Sequence, residues 1–203
     1  MTRKQHSLGS QQEYLSTTFH DLDLSSSEIN SKEFEDCTFK NCDFSETELS
    51  SCKFIECRFN QCNLSMSKIS NSRFSDVIFE NCKTVGIDWT NASWPQYGPA
   101  SPIKFYGCIL NDCSFFGLDL KEIILEECKA HDVDFREGNF AESNFSHTDF
   151  LNSMFNNTNL SGVDFSEAQN YNIDLYYNEI KRAKFTRADA VQLLNHLDIE
   201  LVD

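Results

Sequence analysis

Proline and glycine are scarce in this chain, with three prolines and seven glycines among 203 residues. So few glycines leave no phosphate-cradling loop, and neither a serine nucleophile elbow nor a zinc-binding helix motif is present. Positive charge is also short. Seventeen Lys and Arg face 32 Asp and Glu, which gives a net charge of -15 and a pI of about 4.6. A surface of that sign repels nucleic acid and attracts proteins that bind nucleic acid, although acidity also serves simply to keep a protein in solution. No apolar run approaches membrane-spanning length, and Met1 to Ser10 lack the hydrophobic stretch of a secretory signal. A cytoplasmic protein is expected. The five histidines, His6, His20, His131, His147 and His196, are scattered and form no motif with the cysteines.

Phenylalanine, by contrast, is abundant: there are eighteen, in a chain whose mean hydropathy is -0.45. They fall on a grid of period five. The grid runs Phe19, Leu24, Ile29, Phe34, Phe39, Phe44, Leu49, Phe54, Phe59, Leu64, Ile69, Phe74 and Phe79, then resumes one place out of phase as Phe105, Leu110, Phe115 and onward to Phe165. An α-helix repeats near 3.6 residues and a half-buried strand near 2, so a sustained period of five points to a repeat architecture. Two residues before each large residue stands a small one, and all nine cysteines, Cys37, Cys42, Cys52, Cys57, Cys62, Cys82, Cys108, Cys113 and Cys128, occupy that place. The shared parity turns both residues of a unit inward, while the remaining three face out and include the residues that bend the chain. Stacked units pair the backbone of each turn with the next and yield a solenoid. The thiols then act as small buried hydrophobes, reduced and unreactive, with the histidines outside the wall. Neither a Cys-His dyad nor a metal site is expected, and no cofactor. Lys32 breaks the rule by occupying an inward place, which calls for a distorted first coil or an amine that reaches solvent. Trp89 keeps the register and is read as core.

Units such as Cys37-Thr38-Phe39-Lys40-Asn41, Ser143-Asn144-Phe145-Ser146-His147 and Val163-Asp164-Phe165-Ser166-Glu167 resemble the pentapeptide-repeat protein family. The resemblance implies an all-β fold, a right-handed quadrilateral β-helix with four units per coil, over residues 14–185. Residues 1–13 read as a polar N-terminal segment and residues 186–203 as a C-terminal capping or dimerisation segment.

All three prolines lie in the stretch between the two grids, which marks residues 95–102 as a loop leaving the wall in place of one or more sides. Trp94, Pro95, Gln96, Tyr97, Gly98, Pro99, Ser101 and Pro102 are its candidate partner-binding residues. A tolerated insertion without function is the alternative. Directly after the loop, Asp119, Glu122, Glu126, Glu127, Asp132, Asp134, Glu137 and Glu142 form a candidate acidic surface spread over several faces. At the end of the chain a helix is expected, with Val191, Leu194 and Leu197 on one face and Thr186 as its cap, followed by a short strand from Asp198. Val191, Leu193, Leu194, Leu197, Ile199 and Leu201 are the candidate cap and dimer residues.

Among pentapeptide-repeat proteins the chain is most similar to the quinolone-resistance and microcin-immunity type. That resemblance implies a non-enzymatic protein that imitates duplex DNA, binds a type II topoisomerase, gyrase or topoisomerase IV, protects it from a drug or peptide toxin, and pairs as a homodimer through its C-terminus. A lid on a monomer is the other reading of that terminus. A cytoplasmic scaffold or regulator unrelated to topoisomerases is the alternative function.

Overall fold

The computed structural model describes residues 8–94, 102–197 and 199–200. Each five-residue unit is a short extended side followed by a bend, and four sides make one coil. About eight coils stack in parallel, and every recorded strand pairing is parallel. One wall carries Thr18–His20, Thr38–Lys40, Arg58–Asn60, Val77–Glu80, Ile103–Tyr106 and Ile124–Glu126 as neighbouring strands. The adjoining wall starts with Glu13–Leu15, Glu33–Glu35, Lys53–Ile55 and Arg73–Ser75. Isolated bridges continue the walls where strands are too short to be named, as in the run Asp23, Asp43, Asn63, Lys83, Ile109, Lys129 and Asp149.

The grid residues fill the interior. Rings on one wall, Phe19, Phe39, Phe59, Phe79 and Phe105, stack with centroids 4.7 to 5.0 Å apart. That distance is close to the spacing of strands in a sheet, so backbone pairing and ring stacking impose the same rise. Each buried Phe contributes about 1.5–3 kcal/mol, and each stacked pair about 0.5–1.5 kcal/mol more. Trp89 is fully buried and stacks on Phe115 at 5.9 Å, so the interior column accepts an indole.

The bend in each unit falls on the second residue after the large one. That residue adopts positive φ in unit after unit, for example Asp21, Asn41, Gln61 and Asn81 along one corner. Left-handed backbone is tolerated best by Gly, Asn and Asp, which explains the turn-forming residues at this place.

Between Phe79 and Phe105 the coil carries 26 residues instead of 20: Cys82 pairs with Cys108 across that larger separation. The one-place phase slip is therefore an excess of six residues over the ordinary coil. Among the described residues no further strand pairs on Arg73–Ser75, the side one coil before the loop. Backbone pairing resumes at once, Val77 opposite Ile103.

Lys32 resolves as an end cap. Its ammonium donates to the carbonyls of Gln11 and Gly9 and lies 5.5 Å from the centre of the Tyr14 ring, while Tyr14 donates to Gly9 at 2.6 Å. Leu8 packs on the core beneath.

Gly138 fills the small-residue place before Phe140, and a Cβ there would lie 2.4 Å from the Phe140 ring. Gly117 sits at a corner with φ of +68° and open space around it. Gly138→Ala is therefore expected to lower unfolding stability by about 1–3 kcal/mol through overpacking. Gly117→Ala is expected to lower it by only about 1 kcal/mol through backbone strain alone. Thermal or urea unfolding of the two variants checks the order.

Candidate functional site: the acidic exterior and its loop

The interior is filled by rings, aliphatic side chains, thiols and hydroxyls. All nine cysteines are free and buried. The thiols of Cys52 and Cys57 donate to carbonyls one coil back, Ile29 and Phe34, each at 3.3 Å. The hydroxyls of Thr47, Ser72 and Thr148 do the same at 2.7 to 2.8 Å. Along one corner the backbone N–H of Cys42 meets the sulfur of Cys62, Cys62 meets Cys82, Cys82 meets Cys108, and Cys108 meets Cys128, at 3.3 to 3.4 Å. The five-residue grid alone does not announce this column, whose members stand one coil apart. Burial pushes the thiols of Cys57 and Cys113 up to about 12. A thiol is a poor nucleophile in that state. Among the described residues no group of three or more His, Cys, Asp and Glu is arranged to hold a metal.

The candidate acidic residues lie on the outside of the coils. Glu122, Glu127, Asp132, Glu137 and Glu142 are successive corner residues, each exposed and each with positive φ. Consecutive corners belong to different edges of the rod, so these carboxylates encircle it. Glu122 and Glu142 alone share an edge. Asp119, Glu126 and Asp134 lie on the sides. Asp134 is tied to Arg136 at 2.7 and 2.9 Å, and this pairing holds its carboxyl below the usual range. Glu126 accepts from Asn144 at 3.0 Å, and Asp119 lies 3.9 Å from Lys121. The corner residue Asp112 belongs to the same set, and its signal was its place two residues after Leu110.

Several basic side chains are paired with acids of the neighbouring coil. Lys53 pairs with Glu33, Arg58 with Glu80, Lys104 with Asp76 and Lys184 with Asp164, at 2.8 to 3.0 Å. Such exposed pairs add little stability, yet they leave the surplus carboxylates to set the sign of the field.

Of the candidate loop residues, Trp94 and Pro102 are described, whereas Pro95, Gln96, Tyr97, Gly98, Pro99 and Ser101 lie outside the described residues. Trp94 is half-buried, packs against Phe74 with centroids 6.3 Å apart, and donates from its indole nitrogen to the Trp89 carbonyl at 2.9 Å. Pro102 accepts from the N–H of Val77 at 3.0 Å. Both residues anchor the loop in the wall.

At the C-terminus the structure corrects three expectations. The helix, Asp189–His196, is of the tight 3-10 kind, so neighbours three apart share a face. Val191, Leu194 and Leu197 therefore fall on one face as expected, but that face is not the buried one: Leu193 is 9% exposed, whereas Val191 is 49% exposed, and Leu194 and Leu197 are half-buried. Thr186 is not the cap: its hydroxyl accepts from the N–H of Glu167 at 2.7 Å, and Ala188 holds the cap position without a side-chain bond. Ile199 is 55% exposed and belongs to no strand, as does Glu200, while Asp198 and Leu201 lie outside the described residues.

The stacked four-sided coils, with inward ring and small residue and left-handed corners, define a parallel β-solenoid built from five-residue units. The family model for the pentapeptide repeat region matches residues 32–97 and 100–165, and the chain belongs to that family. No curated protein sequence matches it. The chain is similar to two solved structures of trypsin-treated variants of QnrB1, a plasmid-mediated fluoroquinolone resistance protein. One has 20% identity over 94% of this chain and 97% of that chain, with a TM-score of 0.60. The other has 20% identity over 94% and 92%, with a TM-score of 0.59. Full-length QnrB1 is similar at 19% identity over 92% of this chain and 100% of its own, with a TM-score of 0.54. At these identities the likeness shows the fold. Among the described residues no helix is long and apolar enough to cross a membrane.

A disulfide-exchange reagent such as DTNB is expected to leave the native thiols almost untouched at pH 8 and to titrate all nine in guanidinium. Rapid reaction of any thiol in the folded protein would contradict a sealed interior.

Proposed function

We propose that this protein is a non-enzymatic imitator of duplex DNA that binds a type II topoisomerase, gyrase or topoisomerase IV, in the cytoplasm and shields it from a drug or peptide toxin. The single observation that carries the reading is the ring of corner carboxylates Glu122, Glu127, Asp132, Glu137 and Glu142 around the stacked coils. A cylinder with negative charge on every edge presents to a basic saddle what a DNA duplex presents, without bases to be read. The fold likeness to QnrB1 supports this reading, as does the loop at residues 95–101, seated on Trp94 and Pro102. The exposed apolar residues near the end of the chain, Val191 and Ile199, support a homodimer that doubles the length of the rod.

Binding to purified gyrase and topoisomerase IV is expected at low ionic strength. It should weaken by at least about tenfold between about 50 and 200 mM salt, and duplex DNA should compete. Absence of binding at low salt overturns the reading. Deleting Gln96 to Ser101 removes six residues and restores the ordinary coil length. The variant is expected to keep the fold, because it returns the coil to twenty residues, and to lose topoisomerase affinity. Circular dichroism and a binding titration on the same sample separate the two effects.

A further inference from the structure

The last coil breaks the twenty-residue register. Phe155 bridges to Ile173, eighteen residues on, whereas Asn159 bridges to Glu179, twenty on. Two residues are thus expelled between them, and Tyr176 and Tyr177 project from the wall. Asn178 holds the inward small-residue place and makes the usual bonds of that place, donating to the carbonyl of Phe155 at 3.1 Å and accepting from the N–H of Thr158 at 3.1 Å, and it also donates to the carbonyl of Asp174 at 2.9 Å. Against this shifted wall stands the C-terminal helix, held by His196 to Asn172 at 2.7 Å. A groove of 610 Å³ opens between them.

Its lining is unlike the rest of the surface. Six carboxamides, Asn152, Asn156, Asn170, Asn172, Asn195 and Gln192, converge there. Each can donate and accept at once. Leu151 and Met154 add apolar surface, 42% and 40% exposed, and Tyr177 is 59% exposed. The formal charges in the groove already face partners: Arg136 is bonded to Asp134, and Asp174 lies 3.8 Å from His196. Tyr171 is 2% exposed and contributes to the wall, and its buried hydroxyl has no hydrogen-bond partner among the described residues. Outside the groove, one coil back, the corners hold exposed Asp132 and Glu137, on the same edges as Asn152 and Asn157.

We propose that this groove binds an extended, uncharged peptide segment of a protein partner, flanked in that partner by Lys or Arg. One apolar side chain of the segment rests on Leu151 and Met154, the carboxamides pair with its main-chain N–H and C=O groups, and the basic flanks face Asp132 and Glu137. The apolar strip favours a peptide over a sugar, which would leave Leu151 and Met154 without a match. The inference rests on the protein-partner reading above and gives that partner a second point of attachment beside the charge.

The test uses the full chain and a phage-displayed library of random linear peptides, with selected peptides resynthesised and titrated by fluorescence anisotropy. The expected consensus is one apolar residue in a neutral core with basic flanks. Affinity should fall at least about tenfold in Met154→Lys and in Tyr177→Ala, as for a central contact at an interface. Both variants alter outward-facing side chains, and an unchanged melting temperature verifies the fold. The proposal is overturned if no peptide is selected, if both variants bind as the wild type does, or if the groove instead takes neutral oligosaccharides from a parallel panel. Because free peptide is the probe, failure here leaves the salt-dependent topoisomerase titration unaffected, and failure there leaves this result standing.

Discussion

Everything in this molecule depends on one coincidence of lengths. Rings stacked face to face repeat at 4.7 to 5.0 Å along one wall, and strands paired through their main chains repeat at nearly the same distance. Neither set of contacts has to yield to the other. The small inward residue adds a third bond at the same rise, from its thiol or hydroxyl to a carbonyl one coil back. Cysteine, serine and threonine are interchangeable there because each has one short side chain with one donor. At Gly138 even a Cβ would meet the Phe140 ring, whereas Leu22, Ile87, Ile103 and Ile123 show that other coils accept a larger aliphatic side chain at this place.

Most of this interior was legible before any coordinates. A period of five excludes the two ordinary elements, and parity places ring and thiol together inside. The acidic corners were legible as composition and as turn formers. Their encircling arrangement followed only once four sides per coil were established, because Glu122 and Glu127 are neighbours on the grid but lie on different edges. The loop was visible through its prolines, yet its anchoring by Trp94 was hidden, since an aromatic residue beside prolines reads equally as contact or core.

The C-terminal region was the least legible. Its apolar residues fit an α-helical spacing, and nothing local announces the tighter helix that turns Leu193 inward and Val191 outward. The groove beside it arises from a two-residue register shift after Phe155. In the sequence this is merely a run of asparagines past the end of the grid. A shift of register between coils is a tertiary fact, and no periodicity reports it.

The left-handed corners carry a consequence for divergence. Because a corner side chain points away from the core, its identity is free of the packing that disciplines the ring and its small companion. Only two positions in five must keep their character, and even those accept several residue types. Two chains can thus share the whole scaffold while agreeing at about a fifth of their positions, as this protein and QnrB1 do. The rod behaves like a frame on which the outer lettering is rewritten at will.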